Sequence, residues 1–168
     1  MGEGPQSPYT DSDHRKAIVV SALLGWAGLT VMELYAATTS QLQFYLPFFA
    51  AIGLPVAFLS VWLIGGPIIR RIMARPVGWP RAALGGASVA TVLAVISIVI
   101  GRLNGLRISY DPSYNFRLGG GDFVREVDWI LTPYGWLLLA RNTGLFIALG
   151  ACVGLLVRVV IGPGRKAP

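Results

Sequence analysis

Four long apolar runs separated by polar connections set the pattern of this chain: Ala17 to Ala37, Phe44 to Gly66, Ala82 to Ile100, and about Pro133 to Ile161. Even the shortest, 19 residues long, would make about 28 Å of helix at 1.5 Å per residue, close to the thickness of a bilayer's hydrocarbon core. The pattern predicts an all-α integral membrane protein, a four-helix transmembrane bundle spanning residues 17–161. The first run is longer than the apolar core of a signal peptide. Leu34 or Tyr35 stands where a cleavage site wants a small residue, so the run reads as an uncleaved span.

The connections constrain the threading. Residues 38–43 carry no charge and are long enough only for a tight hairpin, so spans one and two should be antiparallel neighbours. In the second run Pro47 falls in the first turn, Pro55 should kink the middle, and Gly65, Gly66 and Pro67 should end it. Gly86, Ala90 and Ala94 recur every four residues on one face of the third run. Gly150 and Gly154 form a GxxxG pair in the fourth, so both faces invite close helix packing. Residues 1–16, rich in Gly, Pro, Ser and Asp, read as a disordered cytoplasmic tail, and 162–168 as a second short tail.

The long connection 101–132 is the one extended segment that is neither apolar nor basic. Gly119, Gly120 and Gly121 read as a hinge and Asp122 as a helix N-cap, with Phe123, Val127, Ile130 and Leu131 at helical spacing. This predicts a short amphipathic surface helix between spans three and four. Trp129, Tyr134 and Trp136 suit an interfacial aromatic belt. Upstream, an aromatic-rich turn carries Tyr110, Asp111, Tyr114 and Phe116. With Asp122, Glu126, Asp128 and Trp129 these form the expected outward binding surface, although anchoring of the loop in headgroups accounts for the aromatics equally well.

Charge refines this picture. Only 13% of residues are charged, against roughly a quarter in soluble domains. The net charge of +6 would point to nucleic acid in a soluble protein. Here the cations flank apolar runs and report topology, so no nucleic-acid partner is expected. Arg15 and Lys16 precede the first run; Arg70, Arg71, Arg75 and Arg81 fill an acid-free connection; Arg158, Arg165 and Lys166 close the chain. The four Arg of 101–132 are balanced by four acids. The positive-inside rule then puts both termini and the basic connection in the cytoplasm and 38–43 and 101–132 outside. The basic connection also suits an acidic partner or a specific lipid. Arg far outnumbers Lys and Ala and Gly are abundant, which suits a GC-rich bacterial genome, so the expected location is a bacterial inner membrane.

Candidate chemistry is sparse. His14 is the single histidine and Cys152 the single cysteine, which excludes multi-histidine metal sites, Cys-based metal sites, an internal disulfide, and Ser/His or Cys/His catalysis. No cofactor or metal is expected. Asp122 and Glu126, four apart, would suit a divalent cation or acid/base work on the expected helix, but Arg125 lies between them and no third ligand is near. A solvated charged face is the better reading. Within the spans, Glu33 and Arg141 should lie at one level, about 24 to 26 Å from the cytoplasmic side. They can snorkel to the outer interface, pair across spans one and four, or line a polar pathway or face a charged residue on a partner subunit.

In span number, length and threading the chain is similar to small membrane subunits that accompany larger complexes, such as the small subunits of tripartite periplasmic transporters. That likeness involves no residue motif, so it implies no functional residues. The expected function is a non-catalytic accessory or assembly subunit. It would bind a larger membrane protein, or further copies of itself, through helix faces and the outward loop. The alternatives are a small transporter or channel component with a Glu33/Arg141 site and, third, an enzyme acting on membrane lipid through Asp122, Glu126 or Asp128.

Overall fold

The computed structural model describes residues 8–36, 42–111 and 116–164. It is mostly helical: α1 Asp11–Ala36, α2 Leu42–Ser60, a π-helical turn Val61–Gly65, α3 Gly66–Met73, α4 Trp79–Ser109 and α5 Pro133–Ile161. Three two-residue strands, β1 Arg117–Leu118, β2 Glu126–Val127 and β3 Ile130–Leu131, lie between α4 and α5. Among the described residues, four helical segments are long and apolar enough to cross a membrane.

Three boundaries differ from those read off the runs. Helix α1 starts at Asp11, inside the expected disordered tail, because Thr10 and Asp13 cap it reciprocally. The Asp13 amide donates to the Thr10 hydroxyl oxygen at 3.2 Å and the Thr10 amide to Asp13 Oδ2 at 2.9 Å, a capping box with Asp in place of the usual Glu. The rest of the expected tail, residues 1–7, lies outside the described residues.

The second correction concerns Gly65, Gly66 and Pro67, which do not end the second helix. The chain passes through them by widening into the π turn and restarting as α3 with Pro67 in its first turn. An α-helical path would press the Pro67 ring against the carbonyl four residues back. One wide turn avoids that and keeps the chain helical through Arg70 and Arg71. Of the expected basic connection, only 74–78 is non-helical; Arg75 lies there and Arg81 in the first turn of α4.

Third, α4 does not stop at Ile100 but runs to Ser109, and Gly101 and Gly105 do not break it. Its 31 residues reach about 46 Å, well beyond a hydrocarbon core. The surplus carries Arg102 and Arg107 beyond the apolar stretch.

One end of the molecule is closed by Tyr9. This side chain is buried with Ala17, Met73, Val77 and Ala82, against Leu155 and Ile161. Its hydroxyl accepts from the Val77 amide and donates to the Gly162 carbonyl, both at 3.3 Å, and the Val77 amide also lies 3.1 Å from the Pro163 carbonyl oxygen. The start of α1, the α3–α4 connection and the end of α5 therefore meet at one residue. Tyr9→Phe removes the bridging hydroxyl and should lower stability by about 1 kcal/mol, read as a small drop in thermal midpoint in detergent. Tyr9→Ala also empties the apolar site and should do several times worse.

Candidate functional site

The segment after α4 forms a cap built on a hairpin, not the surface helix expected over 122–131. Strand β1 pairs antiparallel with β2 and β2 with β3, matching Arg117 with Val127 and Val127 with Ile130. Asp128 and Trp129, at φ 47° and 66°, make the two-residue turn between β2 and β3. A turn with both central residues left-handed matches strand twist, but it usually carries Asn-Gly or Asp-Gly. Trp in that conformation costs about 1–2 kcal/mol. Its ring offsets this by stacking on Phe116, centroids 4.7 Å apart. Gly119 and Gly121, also at positive φ, shape the β1–β2 connection, so they serve as turn residues and not as a hinge before a helix.

The strands leave Glu126 only 8% exposed, with Arg102 of α4 donating to its Oε1 at 2.9 Å. A buried carboxylate demands a partner. Asp122 and Glu126 are therefore not neighbours on one helical face: Asp122 is exposed in the β1–β2 connection, while Glu126 points to α4. Asp128 Oδ1 accepts from the Phe116 amide at 3.3 Å, so this carboxylate also serves the fold. Asp111, just past α4, is exposed.

Thr132 joins the cap to α5. Its hydroxyl donates to the Val124 carbonyl at 2.5 Å and accepts from the Gly135 amide at 3.1 Å, capping the helix whose first residue is Pro133. Gly135 is buried against the Arg125 carbonyl, where a methyl group would overlap backbone. Less tightly, a methyl group on Gly105 would lie 3.3 Å from the Trp129 carbonyl oxygen, so α4 and α5 both pack against the hairpin. Exposed on this base are Phe123, with its ring edge-on to Tyr134 at 5.6 Å, and Ile130, at 65% and 58% exposure. Tyr110, at the end of α4, is 85% exposed. Tyr114 lies outside the described residues.

Below the cap, α4 and α5 pack through their small residues. A methyl group on Gly86 would overlap the Gly150 carbonyl oxygen and lie 2.9 Å from the Gly154 amide nitrogen. One on Gly150 would lie 2.5 Å from the Ala90 Cβ, and Ala90 and Ala94 are buried. Gly86, Ala90, Gly150 and Gly154 thus form a backbone-to-backbone seam inside the chain. Beside the seam, between α1, α3, α4 and α5, lies a cavity of about 140 Å³ whose lining is apolar apart from Tyr9, Ser21 and Arg158. The Arg158 guanidinium sits 4.4 Å over the Trp79 ring, a cation–π contact that holds it at the Tyr9 end.

Arg141 is exposed on α5, eight residues or about 12 Å inside its start, and does not line the cavity. It makes no hydrogen bond or ion pair among the described residues. The side chain of Glu33 lies outside them, so the Glu33–Arg141 pairing stays an expectation. Arg102 and Thr132 are the side chains holding the cap that periodicity alone does not show. The Thr-Pro pair, an N-cap followed by Pro at the first helical position, was a usable signal for the second. Arg102 carries no local signal, because its partner is 24 residues away. Among the described residues no three His, Cys, Asp or Glu side chains group as metal ligands. Comparison with protein-family models, curated proteins and solved structures gives no match, so the function is argued from this geometry.

Proposed function

We propose that the chain is a non-catalytic membrane subunit that holds another membrane protein through its cap and the exposed flank of α5. It crosses the bacterial inner membrane four times, with both termini and the Arg-rich 67–81 segment in the cytoplasm and the cap outside. The observation that carries this reading is the construction of the cap. A part-buried Arg102–Glu126 pair, a half-buried Phe116–Trp129 stack and a left-handed turn at Trp129 hold a surface that displays Phe123 and Ile130 to solvent. Structure held this firmly around exposed apolar side chains suits binding, since little freedom is lost on contact. Arg141, exposed at membrane depth, supports a partner on the same side, because a desolvated cation gains from an opposing carboxylate.

The small-residue faces are consumed by the α4–α5 seam, which leaves the cap and the lipid-facing side chains for the partner. The test is co-purification from native membranes of the wild-type chain and of a Phe123→Ser/Ile130→Ser variant. Both positions are exposed, so the variant should fold with an unchanged thermal midpoint, and the partner should be lost. A variant that retains the partner in full yield overturns the cap as the binding surface. The threading is tested separately by labelling single cysteines in a Cys152→Ser background: Asp122→Cys should react from the outer side and Arg75→Cys only after permeabilisation.

A further inference from the structure

We propose that the cleft between the start of α1 and the α2–α3 segment is a binding site for an anionic phospholipid, its phosphate held by Arg15 and Arg70. The cleft has a volume of about 500 Å³, within the range of small-molecule sites. Its walls are graded along the helix axes. On α1, Asp11, His14 and Arg15 line the outer end, and Ile18 and Val19 lie one turn deeper on the same face. On the opposite wall Arg70 lines the outer end, while Trp62 and Phe58 lie about 12 and 18 Å further in along the helix. Ile18 packs on Val61 and Ile69 and closes the floor.

A cationic rim over an apolar slot reproduces the order of groups in a phospholipid entering from the membrane side. Trp62 and Phe58 are 55% and 41% exposed and offer ring faces to an acyl chain.

The charges at the rim favour an anion. Arg15 and Arg70 are both exposed and make no ion pair among the described residues. The carboxylate of Asp13, which might have neutralised Arg15, is held by the Thr10 amide and hydroxyl at 2.9 and 2.8 Å. His14 Nδ1 lies 2.9 Å from the Thr10 carbonyl oxygen and so carries its hydrogen there, which leaves Nε2 for a ligand. Asp11 is the one acid in the lining. It stands in the first turn of α1, where the helix N-terminus offsets its charge, and its oxygens can accept from headgroup hydroxyls.

The site rests on the membrane threading proposed above and is independent of the partner. It is tested by native mass spectrometry of the full chain in detergent, titrated with phosphatidylglycerol or phosphatidylcholine of matched chains. The chain should bind one phosphatidylglycerol at least tenfold more tightly than phosphatidylcholine. Arg15→Gln/Arg70→Gln should weaken phosphatidylglycerol binding by about thirtyfold, each Arg near the surface contributing about fivefold. Arg71→Gln/Arg75→Gln, which removes the same charge outside the cleft, should leave it within about twofold. Equal losses in the two double variants, or no lipid preference in the wild type, overturn the site. Carbonate extraction of the chain from membranes, run in parallel, reads membrane insertion: a resistant chain without lipid preference fails only the lipid site, and an extracted chain fails the insertion on which it rests.

Discussion

Gly86→Leu should prevent α4 and α5 from packing and leave little folded protein. At this position even a methyl group meets the Gly150 carbonyl and the Gly154 amide. These are main-chain atoms of a helix, which cannot rotate aside as a side chain can. The two helices would have to separate along the whole seam, losing the contacts of Ala90 and Ala94 and opening the adjoining cavity. Overpacking of side chains against side chains typically costs about 1–3 kcal/mol, and backbone against backbone should exceed that range. Gly144→Ala on α5 is the control: nothing lies within 4 Å of that position, and helix propensity favours Ala over Gly by up to about 1 kcal/mol. Thermal midpoints in one detergent should fall sharply for the first variant and stay level or rise for the second. Equal behaviour would mean that α4 and α5 do not meet through Gly86.

Arg102→Ala should detach the cap while leaving the spans intact. It strands the Glu126 side chain, 11% exposed, with no cation to face it, and an unpaired buried charge typically costs about 3–5 kcal/mol. Arg102 itself is a third exposed and water can reach the gap, so about 2–3 kcal/mol is the expected loss. Limited proteolysis should then cut within 117–131 at least tenfold faster than in the wild type, while helical circular dichroism stays unchanged. Arg102→Ala/Glu126→Leu removes both charges and should restore much of the protection. A cap equally resistant in the single variant would show that the ion pair does not hold it.

The helices were legible because their signal is local and strong: each apolar run is long enough to dominate its own window, and α5 spans Pro133–Ile161. The boundaries were less so, for reasons tied to single residues. The Thr10–Asp13 capping box started α1 early, and the π turn before Pro67 let α2 continue as α3, a device that no apolar count reveals. The form of the cap is not legible in the sequence. Phe123, Val127, Ile130 and Leu131 do fall at helical spacing, but the segment is short and tertiary contacts decide its form. Glu126 turns inward because Arg102 waits on a helix that outlasts its apolar run, and Trp129 accepts a left-handed backbone because Phe116 stacks on it. Both determinants are remote in sequence. The Gly86 and Gly150/Gly154 spacings could be seen, but whether they met each other or another chain depended on the relative phase of two helices.

The most direct test of the central claim is native mass determination of the chain purified from its own membranes in mild detergent. A complex of fixed stoichiometry with a larger membrane protein, lost in Phe123→Ser/Ile130→Ser, is the predicted result. A lone monomer, or a homo-oligomer that the cap variant leaves intact, would contradict it.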